Sequence, residues 1–271
     1  MSLSHEILEG TGDSLWQPLP AAEPTVRRLL WLPLNAVQGV LGVIWTAGWI
    51  TIALLVSALR GRQDPGLALA RRVWGPGLLR LAGARLQVEG RERLDPSRPY
   101  FFAANHQSWI DIPALFAALP LPVLFLAKRE LARVPFLGRY IERMGMVFVD
   151  RADRRQAART VGHARERLGQ GWSVLSFPEG TRSANGRLQR FKTATFAAAL
   201  DAGVPIVPVA LEGAAHIFPR GRFRVRPGLL RVRIGEPLST AGLTRDDRGD
   251  LARRVEREVA AMLRRMRSEP L

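Results

Sequence analysis

The chain has 271 residues, 47% of them hydrophobic, enough to bury a full-sized core, which argues against disorder and for one domain with an appendage. It has no cysteine, which excludes a thiol nucleophile, a disulfide framework and thiolate metal sites; its four histidines, His5, His106, His163 and His216, are too scattered for a zinc site, so no metal is expected. The net charge of +16, from 40 Lys plus Arg against 24 Asp plus Glu, asks for a polyanionic neighbour, either anionic lipid or nucleic acid.

The first 26 residues carry Glu6, Glu9, Asp13 and Glu23 and no Lys or Arg, an acidic tail ahead of a basic body. Residues 29–59 then run without an ionisable side chain between Arg27 and Arg28 on one side and Arg60 and Arg62 on the other, so residues 27–62 are expected to form a membrane anchor. As continuous helix the apolar run would extend about 46 Å against a hydrocarbon core of about 30 Å, more than one span and less than two. Two arrangements fit: one tilted crossing helix, or a helical hairpin dipping into one leaflet with its bend at residues 35–39. Trp31, Trp45 and Trp49 suit the membrane interface. A cleaved signal peptide fits poorly, because the lead is acidic and the apolar run overlong. Both anchor arrangements place the main domain, residues 63–271, on the cytoplasmic face, next to Arg60, Arg62, Arg71 and Arg72.

Beyond the anchor, strand-like runs at 85–89, 100–104, 123–126, 146–149, 173–177, 206–211 and 231–234 alternate with helical patterns at 113–119, 136–144, 153–169 and 192–202. This alternation predicts an α/β fold with a largely parallel central sheet flanked by helices, whose ligands gather beyond the carboxyl ends of the strands. After the second strand the chain reads Asn105-His106-Gln107-Ser108-Trp109-Ile110-Asp111. Five residues of regular helix would turn His106 and Asp111 about 140° apart. A loop between them, with Asp111 opening a helix ahead of Pro113, brings them together as a general base and its orienting carboxylate. The plainer reading, a solvated histidine and an N-capping aspartate, carries equal weight on these residues alone.

Residues 145–151 read Gly-Met-Val-Phe-Val-Asp-Arg and end a strand on Arg151; residues 177–183 read Phe-Pro-Glu-Gly-Thr-Arg-Ser. In the second motif Gly180 permits close backbone approach and Arg182 can grip a phosphate in bidentate fashion. Each is also readable as an ordinary loop. Only two cations, Lys128 and Lys192, are lysines, the other 38 being arginine. A retained lysine in such a chain points to a site that needs a compact ammonium, with chance survival the even alternative. Residues 245–267 form a mixed-charge helix whose stripe of Leu251, Val255, Met262 and Met266 is expected to dock on its own domain.

Taken together, the motifs at 105–111, 145–151, 177–183 and Val204-Pro205-Ile206-Val207-Pro208-Val209 give a chain that resembles the glycerophospholipid acyltransferase family, most closely the bacterial 1-acyl-sn-glycerol-3-phosphate acyltransferases, over roughly residues 85–240. The resemblance implies that His106, oriented by Asp111, deprotonates the acceptor hydroxyl as it attacks an acyl thioester, carried by CoA or acyl-carrier protein, without a further cofactor. It also implies that Arg151, Glu179, Gly180, Thr181 and Arg182 hold the phosphate end of a lysophospholipid acceptor. Lys128 and Lys192 flank these motifs and would sit near phosphate, while Val204, Pro205, Ile206, Val207 and Pro208 would line the acyl-donor region. Imidazole titrates near neutral pH and suits base catalysis there, and no Gly-x-Ser-x-Gly elbow offers a nucleophile. The chain departs from the family in carrying Ala194 and Thr195 where relatives often have a glycine, which puts close backbone approach there in doubt.

The expected reaction is conversion of lysophosphatidate to phosphatidate at a bacterial inner membrane. An acceptor without phosphate, such as a lyso-ornithine lipid, is the alternative with the same chemistry. A basic, membrane-tethered binding protein is the alternative outside enzymology; no nucleic-acid motif supports a nucleic acid partner, which leaves anionic lipid.

Overall fold

A computed structural model describes residues 25–149, 154–221 and 223–269. Seven strands, β1 (Ala84–Glu89), β2 (Phe101–Ala104), β3 (Val123–Lys128), β4 (Val147–Val149), β5 (Ser173–Ser176), β6 (Ile206–Glu212) and β7 (Gly228–Ile234), form one sheet in the order β1-β7-β6-β2-β5-β3-β4. Every pairing is parallel except β6 with β7. Central β2 is buried on both faces, and its side chains alternate between two cores. Phe102 and Ala104 face one cluster, Phe101 and Ala103 the other, as the period of two requires.

The second core is covered by α6 (Arg154–Gly169), α7 (Phe196–Ala202) and α9 (Arg248–Ser268). The expected stripe of Leu251, Val255, Met262 and Met266 docks there, joined by Ala252, Val259 and Leu263. The first core is covered by α1 (Thr25–Arg60), the short helices α2 (Asp64–Leu69) and α3 (Gly75–Leu81), and α4 (Asp111–Ala118). Two short helices complete the order, α5 (Leu137–Arg143) and α8 (Ala214–Ile217). Helix α7 starts four residues later than expected, because residues 192–195 turn first and the Lys192 amide donates to the Pro178 carbonyl at 3.0 Å.

Of the two arrangements expected for the apolar run, the structure has the continuous helix. Helix α1 is continuous through residues 35–39, so there is no bend there; the chain reverses instead at residues 61–63, where Gly61 adopts φ +65°. The acidic tail, residues 1–24, lies outside the described residues. Asn35 is buried because it latches α1 to the domain: its amide donates to the Val225 carbonyl at 3.0 Å, and its carbonyl accepts from Arg226 Nη1 at 2.9 Å. Two of the three tryptophans expected at a membrane interface also serve docking. Trp45 Nε1 donates to the Trp74 carbonyl at 3.2 Å, its ring filling the space above Gly77, and Trp31 lies over the Arg226 guanidinium at 4.3 Å. The opposite face of α1 exposes Leu29, Leu30, Val40, Ile44, Ile52 and Leu59.

Candidate active site

Strands β2, β5 and β3 are adjacent and parallel, so the segments that leave their carboxyl ends converge on one edge of the sheet. After β2, Asn105 clamps the chain to β6: its amide donates to the Leu211 carbonyl at 2.9 Å and its carbonyl accepts from the Leu211 amide at 2.7 Å. The next five residues turn back on themselves, and His106 Nδ1 lies 2.7 Å from Asp111 Oδ2. The same oxygen accepts from the Gln107 and Ser108 amides at 2.7 and 2.8 Å, so the carboxylate that orients the imidazole also closes the loop carrying it. Asp111 is fully buried at the start of α4. Facing a carboxylate, Nδ1 takes the proton, which leaves Nε2 as the basic nitrogen. Phe177, at the end of β5, stacks on the imidazole with centroids 3.9 Å apart and planes 14° from parallel, fixing the ring.

His106 opens onto a cavity of about 1020 Å³, at the top of the roughly 300–1,000 Å³ range of small-molecule pockets. One wall is α1, through Gly42, Thr46, Ile50 and Ala53; the opposite side includes Phe116, Phe125 and Tyr140. The walls are thus mainly apolar, and charge is confined to the His106 end, where Thr181 and Arg182 line the cavity, and to Lys128, which is paired with Glu130 at 2.8 Å. Arg182 lies flat on Trp109, 4.4 Å from the ring centroid. Burial, followed by the neighbouring Arg220 guanidinium, holds the Arg182 guanidinium below its ordinary value, while Asp111 pulls the other way. Arg220 also lines the cavity and donates to the Arg182 carbonyl. Among the described residues neither arginine is paired with a carboxylate. Two cations beside a base and an apolar chamber make a receptor for an amphiphile with an anionic head.

Several expected site residues lie elsewhere. Glu179 is buried and faces the protein: one oxygen accepts from the His106 amide at 2.6 Å and the other from the Gln189 amide at 3.1 Å. Burial pushes its carboxyl up to about 8, against the lowering effect of those two amides. Gly180, with φ +77°, lies beneath Lys192, whose ammonium would sit 2.8 Å from an added Cβ; neither residue is on the cavity wall. Val204, Pro205, Ile206, Val207 and Pro208 lead into and form central β6, packed between β2 and β7, and also line no part of this cavity. Their apolar character is explained by burial within the sheet. Arg151 lies outside the described residues. Arg220 and Trp109 were not expected. Trp109 stood inside the His–Asp motif, but Arg220 is one of four alternating arginines at 220, 222, 224 and 226, and only the path of the chain after β6 distinguishes it.

The sequence profile of the Acyltransferase family matches residues 85–212, the stretch that builds the His–Asp turn and the Arg182 loop. The chain is 34% identical over 230 residues to human 1-acyl-sn-glycerol-3-phosphate acyltransferase alpha, covering 82% of this chain and 80% of that one. It is 31% identical over 240 residues to the 1-acyl-sn-glycerol-3-phosphate acyltransferase of Saccharomyces cerevisiae, covering 88% and 79%. The chain belongs to the 1-acyl-sn-glycerol-3-phosphate acyltransferase family. Its fold matches the crystal structure of the 1-acyl-sn-glycerophosphate acyltransferase PlsC from Thermotoga maritima with a TM-score of 0.80 at 28% identity, over 90% of this chain and 99% of that one. An acyltransferase of this family takes its acyl donor as a co-substrate and needs no cofactor.

Proposed function

We propose that this acyltransferase moves an acyl chain from a thioester, carried by CoA or acyl-carrier protein, to the free hydroxyl of 1-acyl-sn-glycerol-3-phosphate, giving phosphatidate. The observation that carries this reading is the 2.7 Å His106–Asp111 contact at the cationic end of an apolar cavity. His106 Nε2 removes the hydroxyl proton as the oxygen attacks the thioester carbonyl. The tetrahedral intermediate collapses with loss of the thiolate, and the imidazolium returns the proton to sulfur. Asp111 holds the ring and stabilises its protonated form. The thioester is already activated, so the hydroxyl itself is a sufficient nucleophile.

In this account Arg182 and Arg220 bind the acceptor phosphate, with Thr181 beside them and Lys128 further along the wall. Glu179 and Gly180 are positioning residues, the first tying His106 to the loop that bears Arg182, the second giving Lys192 room to cross it. Strand residues 204–208 support the sheet edge from behind. The large basic excess is assigned to anionic lipid, with no role for nucleic acid.

The protein is placed at a bacterial inner membrane with its catalytic domain on the cytoplasmic face. Helix α1 has the length and composition of a span, yet it touches the domain from Asn35 to Ser57, about 33 Å of helix. An upright crossing would drag polar domain surface through hydrocarbon, so α1 is assigned to lie within one leaflet with its apolar outer face in lipid. A donor-by-acceptor activity matrix on detergent-extracted protein tests the reaction. Lysophosphatidate should be the preferred acceptor; equal or better turnover of a phosphate-free lyso-ornithine lipid would overturn the phosphate assignment.

A further inference from the structure

Outside α1, the large apolar side chains left exposed among the described residues are Trp109, Val134, Phe136, Phe223 and Leu243. Exposed singly, such residues need no explanation. Here all but Leu243 line the mouth of the cavity beside His106, although they come from three separate loops, after β2, β3 and α8. The rim also merges with the apolar exterior of α1. Val43 is 71% exposed and lines the same cavity, and the Phe223 ring rests on Gly39, where an added Cβ would approach it to 2.7 Å.

Phe136 adds an independent sign. It is the one non-glycine residue among those described with a positive φ, +61°, a backbone conformation that costs energy and persists only where the surroundings impose it. The surroundings do impose it. The Gly138 amide donates to the Val134 carbonyl at 2.9 Å, the Tyr140 amide to the Phe136 carbonyl at 2.9 Å, and Gly138 is pressed so closely on the Ala132 carbonyl that a Cβ there would sit 2.3 Å away. The result is a rigid turn that holds a phenylalanine 63% exposed, outside any protein core. Exposed cations flank it on both sides, Lys128, Arg129 and Arg133 before and Arg139 and Arg143 after, against Glu130 and Glu142.

We infer that Val134-Pro135-Phe136 is a second membrane contact, wedged into the same anionic leaflet as α1, so that the cavity mouth opens into hydrocarbon instead of water. The flanking arginines sit at headgroup level, where each adds attraction to anionic lipid. This deepens the proposed function and rests on it for its use: a lysolipid chain slides from the leaflet toward His106 without crossing water, and its phosphate meets Arg182 and Arg220 at the interface.

Because the chain has no cysteine, a single introduced one reports a single site. Phe136→Cys and, as the control far from the rim, Leu243→Cys are labelled in the full chain with a polarity-sensitive fluorophore. Each is mixed with vesicles of equal parts phosphatidylglycerol and phosphatidylethanolamine. The label at 136 should shift to the blue and be quenched by bromine-bearing acyl chains, with the label at 243 unchanged. In co-sedimentation with the same vesicles, Phe136→Asp should weaken binding roughly tenfold, the loss expected when a buried aromatic side chain is withdrawn from lipid, whereas Leu243→Asp should not. A label at 136 that stays open to aqueous iodide on vesicle-bound protein, or unaltered binding by Phe136→Asp, overturns the inference. Neither readout needs turnover, so both stand even if the acceptor assignment fails.

Discussion

On the proposed reading, the Arg182 and Arg220 guanidiniums hold the acceptor phosphate, and their contributions should separate in kinetics. A charge-assisted hydrogen bond is worth about 1.5–3 kcal/mol, so Arg182→Ala should raise KM for lysophosphatidate roughly ten- to hundredfold with a smaller effect on kcat. Arg220, more exposed, should matter less, about three- to tenfold. Steady-state kinetics on both variants checks this, and an unchanged KM in either removes that residue from the phosphate site. Glu179 makes a different prediction. Its folded carboxyl is pushed from 4.5 up to about 8, so the folded state holds the proton more tightly than the unfolded chain. Stability from this group is greatest below pH 4.5 and is lost as pH rises toward about 8. Glu179→Gln, which does not titrate, should show a flatter dependence of Tm on pH across that window. The His106–Asp111 contact was legible in the sequence because its partners are five residues apart and the turn between them is local. For Glu179 the motif at 177–183 does not say which way the side chain faces. The fold turns it inward, onto the His106 and Gln189 amides.

Among the elements, α1 makes the contacts that its composition reveals least. Its apolar run was legible as one long helix, but Asn35 looked like a bend in it and is instead a latch whose partners, Val225 and Arg226, are almost two hundred residues away. No local pattern reveals such a pairing. The helix also forms a cavity wall, so its seat on the domain should control activity as well as attachment. Gly77 lies under Trp45, and a Cβ there would come within 2.3 Å of the indole. Gly77→Val should push α1 off its seat, costing about 1–3 kcal/mol as overpacking does. It should lower both Tm and kcat/KM, while helix content by circular dichroism stays near wild type. Full activity in a folded Gly77→Val variant would show that the wall contributes nothing to the site. The strands were legible to within a few residues because the central ones are continuous apolar runs. The reversed direction of β1 and β7 was not, since a single strand's composition carries no information on pairing sense.

For the molecule as a whole, the proposed seat on the membrane combines basic charge with an apolar helix face. Binding to anionic vesicles should weaken as salt screens the cationic surface, yet a salt-resistant fraction should persist through α1. Co-sedimentation from about 0.05 to 0.5 M salt measures both parts, and complete release at high salt would contradict burial of α1 in lipid. The cavity joins α1 to the sheet edge, so on the proposed seating the base would work at the boundary between hydrocarbon and cations. The proposed chemistry depends most on that base. Its direct test is the rate of phosphatidate formation from lysophosphatidate and a labelled acyl thioester by wild type, His106→Ala and Asp111→Asn, each verified as folded by its thermal transition. His106→Ala should lose roughly 10²- to 10⁴-fold in kcat and Asp111→Asn a smaller but clear amount, with KM for the acceptor little changed. A folded His106→Ala protein that turns over at the wild-type rate would contradict the proposed chemistry.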